Sequence, residues 1–275
     1  LILRGALCLD AFSTYPVPKN QDIWIDVSQD RQWFNNDECQ LGNVDGQCGR
    51  GVAGYKDHLR FHRDEAVIGS TTRFDFGTLD MSLARNQTET IGRTIPTAAR
   101  PAGSPEIGLD RELKATNTIF DTKFVTPLGE NHVVTVGGQY WRGKLVDGVV
   151  NEAFKQDTYA LFAEDEWSLT DTLTATVGLR YDHHDAFGSH MSPRGYLVWT
   201  PDEQWTVKGG VSRGYKTPGL EQLHSGISGI SGQGQTVTVG NPNLQPEVST
   251  STELGFNYDS LEGWTVGLTG FHNRI

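Results

Sequence analysis

The chain has 275 residues, a formal net charge of −11, 36% hydrophobic residues and a mean hydropathy of −0.43. An acidic chain with no basic cluster makes a poor partner for nucleic acid, whose binding requires neutralisation of phosphates. No run approaches the roughly 18 apolar residues of a membrane helix, which excludes a helical membrane protein, but a β-barrel with polar loops and a polar inward face fits this composition.

From Leu173 to Tyr215 the chain alternates apolar and polar residues around a tight turn, in runs of about 9–11, the length a tilted strand needs to cross a bilayer. The stretch Leu1 to Leu9 lacks the basic start, long apolar core and small-residue cleavage site of a signal peptide. Strands are read near Ile2–Phe12, Gln21–Trp33, Leu59–Phe74, Thr78–Ile91, Leu113–Val125 and Val133–Trp141. They continue near Thr158–Trp167, Leu173–His183, Ser192–Trp199, Trp205–Gly214, Thr250–Tyr258 and Trp264–Asn273. The run near Leu113 alternates least. Short turns rich in Pro, Gly, Asp and Asn fall near Asp75–Gly77, Thr126–His132, Ser168–Thr172, Thr200–Gln204 and Asp259–Gly263, with a longer one at Ser13–Asn20. Long irregular segments, Phe34–His58, Arg85–Arg111, Gly143–Gln156 and Tyr215–Ser249, alternate with them. Short turns on one side and long loops on the other describe an outer-membrane barrel, whereas a soluble sandwich has no reason to collect its long loops at one end.

Within each run the apolar residues share a face. Ile23, Ile25 and Val27 do so, as do Leu79, Met81 and Leu83; Leu173, Ala175, Val177, Leu179 and Tyr181; and Leu254, Phe256 and Tyr258. Arg180 and Asp182 fall opposite, as do Arg194 and Tyr196, where an aqueous lumen or a plug would meet them. Of the seven tryptophans, Trp167, Trp199, Trp205 and Trp264 sit within two residues of a short turn. Indole, apolar in body with one N–H to satisfy, favours the headgroup layer, so these four read as a girdle along one rim.

Three cysteines are present, Cys8, Cys39 and Cys48. Cys39 and Cys48 enclose Gln40–Gln47 and read as a loop tip closed by a disulfide in an oxidising compartment. A metal site is the alternative, but two cysteines without a nearby His pair make a poor zinc motif. Cys8 reads as a small buried residue. Enzymatic constellations are weak: His183 and His184, beside Asp182 and Asp185, are adjacent in a strand and face opposite ways, which prevents easy chelation of one ion. The glycine-rich stretch Ser225–Gly234 lacks the ending and the helix of a phosphate loop.

Longer segments carry a resemblance. Phe162-Ala163-Glu164-Asp165-Glu166-Trp167, Ser192-Pro193-Arg194, Gly214-Tyr215-Lys216-Thr217-Pro218 and Gly240-Asn241-Pro242-Asn243-Leu244-Gln245-Pro246-Glu247 occur in the order seen in TonB-dependent outer-membrane receptors. The stretch Gln222–Gly234, with Asp147–Val150 upstream, resembles the colicin I receptor branch, which takes up catecholate siderophores. The resemblance covers nearly the whole chain, 1–275, as a partial receptor barrel. It implies an all-β fold, an antiparallel transmembrane β-barrel of about 22 strands of which this chain supplies about 12 with their extracellular loops. It implies a plug domain, absent from this chain, through which TonB relays energy from the inner membrane. The transported ligand would be a ferric catecholate siderophore, with no covalently bound cofactor, no metal site and no enzymatic chemistry. Colicins are implied as further partners, together with lipid and lipopolysaccharide, and the location is the bacterial outer membrane. The loop cysteines depart from the branch pattern.

A ferric catecholate is a bulky polyanion with aromatic edges, so Arg, Lys and aromatic side chains on outer loops are its expected contacts. Tyr55, Arg93, Arg100, Arg111, Trp141, Tyr215 and Lys216 are the candidates. Arg180 and Arg194 are the inward candidates, toward plug or substrate. The rival reading is a passive outer-membrane porin for another small solute. Neither terminus carries the marks of a barrel end, which leads to the expectation of a piece of a larger barrel.

Overall fold

The computed structural model describes residues 5–10, 20–35, 55–150, 153–223, 226–231 and 236–275. Fourteen strands occur among them: β1 (Gly5–Asp10), β2 (Gln21–Asn35), β3 (Tyr55–Phe74), β4 (Gly77–Arg93), β5 (Leu113–Leu128), β6 (His132–Asp147) and β7 (Phe154–Thr170). They are followed by β8 (Leu173–His184), β9 (Gly188–Trp199), β10 (Trp205–Lys216), β11 (Ile227–Ser231), β12 (Thr236–Val239), β13 (Glu247–Asp259) and β14 (Thr265–Arg274). Twelve form one sheet in chain order, β1 to β10 followed by β13 and β14, with every neighbouring pair antiparallel. This meander is the wall of an antiparallel barrel.

The register keeps the apolar alternation on one face from strand to strand. Ala175 lies opposite Leu197, Val177 opposite Gly195 and Leu179 opposite Ala163. Val207 pairs with Phe256, and Phe256 in turn with Leu268. These side chains are not covered by protein: Leu161 is 68% exposed, Val177 63% and Leu268 69%. Buried hydrophobic residues are few among those described, namely Leu59, Ile95, Ala99, Val149, Ala160 and Ala175, with Pro96 fully enclosed. A soluble domain of this length would bury about 70% or more of its unfolded surface, so the apolar face finds its partner in hydrocarbon.

The short-turn rim carries the aromatic belt. Trp199 and Trp205 flank the turn at Thr200–Gln204. The Trp205 ring lies 4.7 Å from Tyr258, which lies 5.7 Å from Trp264, while Trp167 stacks on His132 at 5.2 Å. On the opposite, polar face a glycine clears the way for a large ring. A Cβ on Gly137 would stand 2.4 Å from both Phe162 Cζ and the Thr122 carbonyl oxygen. Phe162 is its direct cross-strand partner.

Two expectations are corrected, and the strand read near Leu113 is present. Gly143–Gln156 is not a long loop, because β6 and β7 stay paired through Gly143–Gln156, Lys144–Lys155 and Leu145–Phe154 and leave only residues 148–153 between the two strands. The β8–β9 connection at the same end is shorter still. Beyond the apolar band both faces meet water, so a ladder continues there without the alternation that reveals strands. Leu113–Leu128, despite its poor alternation, is a continuous strand paired on both sides. Tyr215–Ser249 contains a 3₁₀ turn at Leu220–Leu223 and the hairpin β11–β12. Cys39 and Cys48, with their expected disulfide, lie outside the described residues.

Candidate functional site: the inward wall and the outer rim

Alternation dictates which side chains line the interior. Arg180 is opposite Phe162, and Arg194 opposite Gly178, both on the polar face. Arg180 Nε donates to Asp182 Oδ1 at 2.9 Å and to Oδ2 at 3.1 Å, and its Nη2 donates to Gln139 Oε1 at 3.0 Å. Gln139 Nε2 donates to Asp121 Oδ1 at 2.7 Å. The result is a polar rail across β5, β6 and β8. Asp182 is only 5% exposed and satisfies a buried charge through this contact. Arg194 Nε reaches Glu164 Oε2 at 2.9 Å. Trp141 faces the same side, and its indole N–H donates to Asn117 Oδ1 at 3.0 Å.

At the outer end of β8 to β10 aromatic and imidazole groups gather. Tyr215 is half-buried and stacks on His190 with centroids 4.2 Å apart, while Lys216 next to it is exposed. His184, 2% exposed, accepts the Ala186 backbone N–H at Nδ1 over 3.0 Å, and the same nitrogen lies 3.0 Å from Asp185 Oδ1. Burial lowers its pKa, and the charges of His183 and His190 push the same way against Asp185. Adjacent His183 turns outward to the Ser189 hydroxyl at 3.0 Å, so the two imidazoles do face apart. Among the described residues no group of three or more His, Cys, Asp or Glu could hold a metal ion.

The segment between β4 and β5 is an ordered lobe. Thr94 and Asp110 form an isolated bridge, and the backbone of Ile95 bonds Leu109 and Gly108. Ile95, Ala99 and Val149 pack together with Ile227 of β11, joining three connections of the outer rim. Two proposed ligand contacts turn out to hold this lobe. Arg111 Nε and Nη2 donate to the two Asp147 oxygens at 2.6 Å each, and both side chains are under 9% exposed. Arg100 donates to Glu106 and, through Nη1, to the carbonyls of Ala99 and Val149. Their guanidinium donors face protein acceptors, and Arg111 is buried. Arg93 ends β4 half-buried opposite Tyr55, whose side chain lies outside the described residues. Arg180 and Arg194 stand on the inward face of neighbouring strands with Tyr215 at their outer end, whereas Trp141 lies two strands away from β8 on β6 and Lys216 is exposed.

Sequence reading passed over Asp147, Gln139 and the pairing role of Asp182. Asp182 was accessible in principle, since it shares the strand face of Arg180 two residues away. Asp147 was not, because its partner Arg111 is 36 residues distant.

The family model described as TonB dependent receptor-like, beta-barrel matches residues 13–275. The iron-regulated outer membrane virulence protein of Vibrio cholerae serotype O1 is 40% identical over 168 residues, 59% of this chain and 25% of that protein. The ferrienterobactin receptor of Escherichia coli strain K12 is 34% identical over 142 residues, 48% of this chain and 19% of that protein. The crystal structure of the siderophore receptor PirA from Pseudomonas aeruginosa superposes with a TM-score of 0.74 at 26% identity, covering 98% of this chain and 44% of that one. The match therefore spans a quarter or less of these curated relatives and under half of the solved chain.

Proposed function

Because this chain belongs to the TonB-dependent receptor-like β-barrel family, we propose that it lines the passage of an outer-membrane receptor for ferric catecholate siderophores. The observation that carries the reading is the distribution of inward cations. Arg180, Arg194 and Lys208 stand on the inward face of β8, β9 and β10, and Tyr215 stacks on His190 at the outer end of the same sector. A polyanionic catecholate complex finds there cationic groups and an aromatic face in one sector. Relatives named as enterobactin and siderophore receptors support this choice of ligand.

The mechanism has no covalent step. The ligand is captured at the outer rim, moves along the polar wall by exchanging hydrogen bonds with groups such as Arg180 and Gln139, and is released inward when TonB displaces a plug. Colicin docking on the same rim is the finer part of the proposal, supported by the resemblance of Gln222–Gly234.

Iron uptake from ferric enterobactin in cells whose other catecholate receptors are deleted tests the reading. Arg180→Glu combined with Arg194→Glu in the full-length protein is expected to lower uptake at least about tenfold. Unchanged uptake, or steady ligand-independent conductance of the purified protein in a planar bilayer, would count against it.

A further inference from the structure

Arg180 is held from the far side of a neighbouring strand. It stands on β8 opposite Phe162 of β7, yet its Nη2 donates at 3.0 Å to Gln139 of β6. Two strand spacings, about 9–10 Å, separate those backbones. The register places Ala160 between Gln139 and Asp182, so only a methyl group stands in that row of β7, and Ala160 is 4% exposed.

Chemistry fixes the direction of each bond. A carboxylate only accepts, so Asp121 Oδ1 takes a hydrogen from Gln139 Nε2 at 2.7 Å and turns the carboxamide oxygen toward β8. That oxygen accepts from Arg180 Nη2. A reversed amide would set its NH2 against the guanidinium, donor to donor. On the other side the buried Asp182 accepts from Nε at 2.9 and 3.1 Å. Anchors on Nε and Nη2 together fix the plane of the guanidinium. Nη1 has no partner among the described residues, and the Arg180 side chain is 37% exposed. It borders a hollow of about 320 Å³ lined in part by Phe162, Glu164, Gly178 and Arg194.

We infer that Asp121 and Gln139 are positioning residues: they hold Arg180 with its Nη1 edge open to this hollow, where it receives an oxyanion group of the ligand passing along the wall. The identity of that ligand rests on the proposed transport of an anionic complex, whereas the positioning rests on hydrogen-bond direction. Arg194 is held by Glu164 and takes no part in the chain of bonds.

The test reads Arg180 directly. Phenylglyoxal adds across the two Nη atoms of an arginine, so a guanidinium whose Nη2 is held reacts slowly. Mass spectrometry of the full-length protein in detergent gives a rate for each arginine. Asp121→Ala and Gln139→Leu are expected to speed labelling of Arg180 at least about threefold and to leave Arg194 unchanged. Asp121→Asn, whose carboxamide oxygen still accepts from Gln139, is expected to return the rate to within about twofold of the parent. Arg180 lies on the wall, past the point of capture at the rim. Asp121→Ala is therefore expected to lower the maximal rate of ferric enterobactin uptake about threefold or more with the half-saturating concentration little changed, and to add nothing to Arg180→Gln. Labelling unaltered by Asp121→Ala, or accelerated equally by Asp121→Asn, in protein that keeps a barrel's heat-modifiable migration overturns the positioning. So does an undiminished effect of Asp121→Ala on uptake in the Arg180→Gln background. If labelling responds as expected but the parent takes up no ferric enterobactin, the positioning stands and the choice of ligand fails.

Discussion

Arg111 and Asp147 meet through two parallel hydrogen bonds of 2.6 Å, although 36 residues separate them, and neither side chain reaches solvent to any extent. Asp147 Oδ1 also accepts the Val149 backbone N–H at 3.0 Å, so one carboxylate fixes both the lobe after β4 and the turn after β6. Removing one partner leaves a buried charge uncompensated. Asp147→Asn and Arg111→Ala are each expected to cost about 3–5 kcal/mol of local stability, and Arg111→Lys to recover little because the fork is lost. Limited proteolysis between residues 94 and 112 is the readout; unchanged cleavage rates in both variants would refute the assignment.

The Arg180–Asp182 contact makes a separate claim about stability. Arg180→Gln leaves the Asp182 carboxylate, 5% exposed, without its cation and is expected to lower barrel stability by about 1–3 kcal/mol. The double variant Arg180→Gln, Asp182→Asn removes the orphaned charge and should regain most of that loss. A thermal melt followed by heat-modifiable gel migration measures both. Equal destabilisation by single and double variants would show that the pair is not coupled.

Close packing of Phe162 over Gly137 leaves no room for a side chain. Gly137→Val is expected to cost about 1–3 kcal/mol through overpacking. Gly195→Ala, where an added Cβ meets nothing within 4 Å, is expected to stay within about 0.5 kcal/mol of the parent. Melting temperatures of the two variants decide, and equal shifts would contradict the placement of the ring.

His184 links pH to the outer end of β8. Burial holds its imidazole below the ordinary 6.5, so the folded segment excludes a proton that the opened one accepts. The stabilisation is present above about pH 6.5 and is lost as pH falls toward the depressed folded value. Amide exchange at residues 185–190, followed from pH 8 to pH 5, is expected to speed up on acidification in the parent, and His184→Gln to flatten that dependence. A parent showing no acceleration would dispose of the link.

Strand membership was legible wherever a strand separates two solvents. The apolar sets Ile23–Val27, Leu79–Leu83 and Leu173–Tyr181 identified their faces because lipid on one side and water on the other enforce a period of two. The signal failed at Lys144–Asp147, Phe154–Gln156 and Gly188–Met191, where the ladders rise above the membrane and either face accepts polar residues. It was also weak at Leu113–Leu128, whose outward positions include Thr116, Thr118 and Thr122.

The amino-acid order alone determined the barrel wall, its orientation toward lipid and the tryptophan rim, because these follow from local alternation and from the chemistry of indole at an interface. It also placed Arg180 and Arg194 inward by parity. Only the tertiary structure decided that Arg111 pairs with Asp147 and Arg100 with the Val149 carbonyl, so that both hold an outer lobe. Those outcomes depend on cross-strand register and on partners tens of residues apart, and the energy of a charge is set by the neighbour it meets in space.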